Sequence, residues 1–154
     1  VVSFIHGKSG SGKSTLPILI AQKLKASICY TFNPSDPSDT ISKLYNTVNP
    51  TIDKPLVIIL EEVNILLEKC HLQQIQQHKQ SFIQIYNKTT WNSFFDWINR
   101  DCYPYLILIM TSNIHIDVIN EWDLSYMRSG RVDHIAEINA PYIKNVVMVD
   151  DDFV

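Results

Sequence analysis

The run Gly7-Lys8-Ser9-Gly10-Ser11-Gly12-Lys13-Ser14 holds three of the chain's four glycines and restricts the possible folds more than any other stretch. It reads G-x-x-x-x-G-K-S, the pattern of a phosphate-binding loop (Walker A). The physics is local. Glycines let the backbone curl until successive N–H groups point inward at one anion. A helix starting near Gly12 adds its positive N-terminal end. In such a loop Lys13 reaches the β- and γ-phosphates of a nucleotide and the Ser14 hydroxyl ligates Mg²⁺. The candidate nucleotide-binding segment therefore runs from Gly7 to Thr15. Its flanks agree, with apolar Val1–Ile5 before it and Thr15-Leu16 and Ile18-Leu19-Ile20 after it. Pro17 conflicts with a helix here and costs up to ~3 kcal/mol if it falls past the first turn.

A chain of 154 residues reads as one domain with room for a real core. Its 45% apolar and 19% charged residues suit an ordinary globular protein, and a net charge of −3 gives no overall push toward nucleic acid or anionic membranes. Cys29, Cys70 and Cys102 lack C-x-x-C spacing and read as reduced thiols. No apolar run reaches the ~18 residues that a membrane-spanning helix needs. Opening directly on a buried strand suggests a segment of a longer protein, so targeting signals or a membrane anchor would lie outside these residues. Asn87-Lys88-Thr89 matches a glycosylation sequon and is read as chance, because no secretory context accompanies it.

Five apolar runs read as buried strands: Val2–Ile5, Ile28–Phe32, Leu56–Leu60, Leu106–Met110 and, more weakly, Ile135–Ile138. Runs apolar on both faces suit a parallel sheet covered by helices. Helical patterns lie between them. Leu16–Lys25 follows the glycine-rich loop. Asp39–Val48 carries Ile41, Leu44, Tyr45 and Val48 on one face, with Asp39 as expected N-cap. Phe94, Phe95 and Ile98, with Trp91 and Trp97, form a further stripe. Alternating strands and helices imply a three-layer α/β sandwich with a five-stranded parallel sheet. Asn33–Asp39 is a loop by composition. Glu68–Gln84, with six glutamines, reads as either a solvated helix or a mobile insertion. No ligand spacing supports a metal site at Cys70, His71 and His78.

Three further elements narrow the chemistry. Leu56–Leu60 ends in Glu61-Glu62, the shape of a Walker B strand. The first acid would hold Mg²⁺ through water and the second would activate the attacking water. Next, Asn113 follows the run Leu106–Ser112, where a polar side chain can sense the γ-phosphate or the lytic water. Last, Arg128 and Arg131 flank a turn at Gly130. A guanidinium is always charged and binds phosphate oxygens in bidentate fashion, so either arginine suits a finger inserted into a neighbouring subunit's site.

In this order the four elements resemble the AAA family of AAA+ ATPases. Within it the nearest likeness is to the Bcs-type proteins, mitochondrial chaperones that move a folded iron–sulfur subunit into respiratory complex III. Three stretches carry the likeness: Ile28-Cys29-Tyr30 through Asp39 with Leu44-Tyr45-Asn46, then Leu60-Glu61-Glu62-Val63-Asn64, then Met127-Arg128-Ser129-Gly130-Arg131-Val132-Asp133. The middle stretch is similar to that clade's L-E-D-V-D and the last to its I-R-P-G-R-V-D. Glu62 and Asn64 depart from the clade's aspartates, and Ser129 from its proline. The resemblance implies an AAA+ core over 1–140, the P-loop NTPase sandwich, with a Gln-rich insertion at about 68–84. It leaves 141–154 as a C-terminal extension or the start of a helical lid that is otherwise missing.

The resemblance implies ATP and Mg²⁺ as ligands and a homo-oligomeric ring of six or seven copies with arginine fingers acting in trans. It also implies a protein substrate, and an inner mitochondrial membrane location for a true Bcs-type orthologue. The Ile- and Asn-rich composition hints at an AT-rich genome, of a virus or a protist. Two other classes stay open: a nucleotide-binding scaffold that has lost turnover, and a small-molecule P-loop kinase.

Overall fold

The computed structural model describes residues 1–139; the expectation for 141–154 falls outside them. Ten elements follow in order: β1 (Val2–Gly7), α1 (Thr15–Lys23), β2 (Ser27–Cys29), α2 (Ile41–Val48), β3 (Leu56–Leu60), α3 (Val63–His71), α4 (Lys88–Asn99), β4 (Leu106–Ser112), α5 (Ile116–Trp122) and β5 (His134–Ile138). The strands form one five-stranded sheet in the order β2-β3-β4-β1-β5, with every pairing parallel. The architecture is the three-layer α/β sandwich that the alternation of runs implies.

Burial on both faces explains why the strands read as continuous apolar runs. All five residues of β3 are buried, but they serve two cores. Leu56, Ile58 and Leu60 join Val2 and Phe4 of β1 and Leu106, Leu108 and Met110 of β4 in a large core. Val57 and Ile59 join Ile5 and Ile109 in a smaller one. The period of two along each strand divides the side chains in this way. α1 covers the smaller core through Ala21, Leu16 and Ile20. The larger one receives Ile41 of α2, Leu67 of α3, Trp91, Phe94 and Phe95 of α4, and Ile119 of α5. Pro17 is the third residue of α1 and buried. It therefore sits in the first turn, where its missing N–H costs no intrahelical bond.

Several local expectations change. β2 ends at Cys29 rather than Phe32, because it is an edge strand paired only with Leu56–Ile58. Phe32 instead turns into the larger core and stacks on Phe94 with ring centroids 6.4 Å apart. Asp39 does not cap α2. Its Oδ2 accepts the Asn33 N–H at 3.0 Å and closes the 33–39 loop, while Thr40 Oγ1 accepts the Lys43 N–H as N-cap. Glu68–Gln84 is not one solvated helix, since α3 ends at His71. Its first residues finish α3, and its end is tied to the 33–41 segment. There Phe82 O accepts the Ser38 N–H at 2.7 Å, and Gln84 Oε1 accepts the Ile41 N–H at 2.8 Å. Ile83 and Ile85 bury as part of the same attachment. Helix α5 turns Ile116, Ile119 and Trp122 toward the larger core and forms behind a His115 cap. No helix among the described residues is long and apolar enough to cross a membrane.

Candidate functional site

Because the strands are parallel, the segments following β1, β3 and β4 emerge along one edge of the sheet. Such an edge, at the carboxyl ends of the strands, is where open α/β sheets bind ligands. Pairing sets the alignment. His6 of β1 lies opposite Ser112 of β4, and Leu60 of β3 lies opposite Met110. The glycine-rich loop, Glu61-Glu62 and Asn113 thus leave the sheet side by side. They enclose a cleft of ≈ 300 Å³ lined by Ser9, Gly10, Gly12, Lys13, Ser14 and Thr15, with Glu61, Glu62, Thr111 and Asn113.

The loop has the backbone that its glycines permit. Gly10 and Gly12 have φ of 79° and 92°, in the region that favours glycine. Gly7 is required for a second reason: a Cβ built there would lie 2.1 Å from the Ile138 carbonyl oxygen. Lys13 is buried, and its Nζ donates to the Lys8 carbonyl at 2.7 Å. The ammonium therefore turns back into the loop's own concavity. Ser11 Oγ is buried with no hydrogen-bond partner among the described residues. Ser14 stands at the N-cap of α1, yet its side chain makes no capping bond, which leaves the hydroxyl available to the cleft. A concave backbone, an inward ammonium and an orphan buried hydroxyl fit a polyphosphate. The Ser14 hydroxyl and the Glu61 carboxylate supply the oxygen donors that a hard cation such as Mg²⁺ takes.

Glu62 has φ 49° and ψ 43°, the left-handed region, which costs a non-glycine residue roughly 1–2 kcal/mol. Two contacts hold it there. Its N–H donates to Thr111 Oγ1 at 3.2 Å, and its Oε1 accepts from Asn113 Nδ2 at 3.1 Å. Asn113 is fixed from its other side, where its N–H meets Asn64 Oδ1 at 3.4 Å. Reading the sequence missed Thr111 and Asn64. Thr111 is legible only as part of the strand's polar end, and Asn64 only once α3 turns back from Glu62.

The two arginines separate. Arg131 is buried. Its Nε lies 2.9 Å from Asp96 Oδ1, a second nitrogen lies 3.3 Å from Oδ2, and a third bond runs to Ser125 O at 2.6 Å. The expectation that Arg131 projects as a finger is therefore corrected: its guanidinium is consumed by α4 of its own chain. The Arg131 hydrogen bond, with the nearby arginines, holds the Asp96 carboxyl below the usual carboxylate range. Arg128 is 57% exposed at its side chain and reaches Asp96 only at 3.7 Å. Neither arginine lines the cleft. Asp96 carries no motif signal and was missed by the sequence reading.

Comparison with known proteins agrees with this arrangement. No curated protein matches the chain in sequence. Among solved structures that resemble it is that of C. elegans PCH-2, with TM-score 0.52 and 13% identity over 92% of this chain and 35% of that one. The chain thus spans about a third of that protein's length, and the likeness is one of fold. The family model of the ATPase family associated with various cellular activities matches residues 3–140. With its sheet order, its loop after the first strand and this match, the chain belongs to the AAA family of ATPases.

Proposed function

We propose that residues 1–140 form the catalytic core of a ring-forming motor that hydrolyses ATP to remodel or translocate a polypeptide. The observation that carries this reading is the Glu62–Asn113 contact at the mouth of the cleft that also holds Lys13. A carboxylate that accepts from a fixed amide, beside an ammonium and a hydroxyl-lined loop, suits in-line attack of water on a γ-phosphate. In this reading Gly7–Thr15 wraps the phosphates and Lys13 leaves the Lys8 carbonyl for the β- and γ-oxygens. Ser14 and Glu61 hold Mg²⁺, which, when bound, neutralises the phosphate charge. Glu62 takes the proton of the attacking water, and Asn113 orients the Glu62 carboxylate.

Arg128 is the exposed guanidinium that a neighbouring copy's site requires, and Arg131 sets its position through the shared Asp96. A ring of six or seven copies, a Bcs-type kinship and a viral or protist source belong to the same proposal. Residues 141–154 belong to the proposal as a C-terminal extension or the start of a lid.

Calorimetry and phosphate release test the reading together. Lys13→Ala should abolish or greatly weaken ATP binding, because it removes the charge placed against the phosphates. Glu62→Gln should retain ATP yet slow its hydrolysis by orders of magnitude, since an amide accepts no proton. Unchanged affinity in Lys13→Ala overturns the phosphate site. Tight binding with no phosphate release by the unaltered chain at high concentration would make it a nucleotide-binding scaffold instead.

A further inference from the structure

A second group of polar side chains lies at the same sheet edge, outside the cleft just described. His6 is the penultimate residue of β1, His115 caps α5 just beyond β4, and Glu137 belongs to β5. Register brings them together: His6 stands opposite Glu137 on one side and opposite Ser112 on the other. Directly paired residues of neighbouring strands share a face of the sheet. One donor atom from each of the three lies within 4.8 Å of the others. The two imidazoles meet edge to face with centroids 4.5 Å apart, and His115 Nε2 lies 3.7 Å from Glu137 Oε2.

His6 is the unusual member. It is 3% exposed, and its Nδ1 is buried with no hydrogen-bond partner among the described residues. A buried nitrogen left without a partner is costly, and nothing in the AAA machinery described above uses it. His115 has an orienting partner. Its Nδ1 accepts the Asp117 N–H at 3.1 Å and stands 3.3 Å from Asp117 Oδ2. With the proton moved to Nδ1, that carboxylate would accept it and free the Nε2 lone pair, the usual arrangement around a ligating histidine.

We propose that His6, His115 and Glu137 form a binding site for Zn²⁺, clamping the ends of β4, β1 and β5 together immediately before Gly7. Two imidazoles and one carboxylate with an open fourth position are a zinc donor set, and imidazole selects against Mg²⁺ and Ca²⁺. Ligand atoms around a tetrahedral zinc are about 3.4 Å apart, given its ~2.0–2.1 Å bonds. The trio stands within 4.8 Å and has to close further, and the side chains of His115 and Glu137, 44% and 42% exposed, have the room to turn that buried His6 lacks. Ion binding would then stiffen the strand from which the phosphate loop springs.

The test titrates the full chain with Zn²⁺ against a chromophoric chelator, with millimolar Mg²⁺ present to fill oxygen sites. It is read alongside thermal unfolding and needs no nucleotide. One Zn²⁺ per chain is expected, with a raised Tm. His115→Ala and Glu137→Gln alter half-exposed positions and leave the fold intact. Each should weaken binding by more than about tenfold, and Asp117→Asn by about tenfold, the loss typical of an outer partner. Co²⁺ should give the visible spectrum of a tetrahedral nitrogen/oxygen site with no thiolate charge-transfer band. Failure of the unaltered chain to bind overturns the proposal. So does affinity unchanged in both His115→Ala and Glu137→Gln, or a thiolate band marking one of the cysteines as the ligand.

Discussion

The side-chain amide of Asn113 donates to the carboxylate of Glu62 across 3.1 Å, joining the end of β4 to the first turn of α3. This bond gives the proposed base a fixed direction without neutralising it. Asn113→Ala should therefore keep ATP affinity and slow hydrolysis at least about tenfold, as loss of a positioned proton acceptor does. Hydrolysis unchanged in Asn113→Ala would mean that the amide does not position Glu62.

The two arginines should respond differently to removal. Arg131→Ala strips Asp96 and the Ser125 carbonyl of a buried partner, and stability should fall by about 2 kcal/mol, less than for a fully buried pair because Asp96 is partly exposed. Arg128→Ala touches only the 3.7 Å contact, and its unfolding free energy in urea should stay within about 0.5 kcal/mol of the unaltered chain. Its turnover should nevertheless collapse. Mixing Arg128→Ala chains with Glu62→Gln chains should restore part of it, each interface drawing an acid from one copy and an arginine from the next. No recovery on mixing would place Arg128 in a structural role.

Acid should weaken the fold through two aspartates. The Lys88 ammonium first, and then the Ser125 bonds, depress Asp123 from its ordinary 3.8 to about 2, and Arg131 lowers Asp96. Each folded carboxyl binds protons less readily than the unfolded one. The stability that they contribute is present above pH ~4 and lost as pH falls toward 2. Comparing urea midpoints at about pH 5 and about pH 3 checks this. Asp123→Asn, which keeps an acceptor for the Ser125 N–H, should lose less between the two pH values than the unaltered chain.

What could be read from residues alone was what depends on near neighbours. The glycine-rich loop states its requirements within eight positions, and β3, buried on both faces, is apolar at all five of its residues. Both emerge at the expected places. Glu61, Glu62 and Asn113 follow directly on β3 and β4, two strands whose direction the alternation with helices sets. The roles of Asp39, Gln84 and Arg131 were not legible. Each depends on a partner brought close by folding: Asn33 from within a loop, Ile41 across 43 positions, and Asp96 across 35. An exposed arginine and a buried one look alike as letters in a turn.

The contact between Gly7 and Ile138 sets an order on assembly. The first residue of the phosphate loop lies so close under β5 that no side chain fits between them, and β5 pairs with β1 from Ser3↔His134 onward. The loop is written near the start of these residues, but its floor is laid by nearly the last of those described. A ribosome would have to release the strand of Ile138 before the loop could take its final shape, and contacts of such sequence separation form slowly. The glycines would thus stay in an open arrangement until β5 has left the ribosome and docks beside β1.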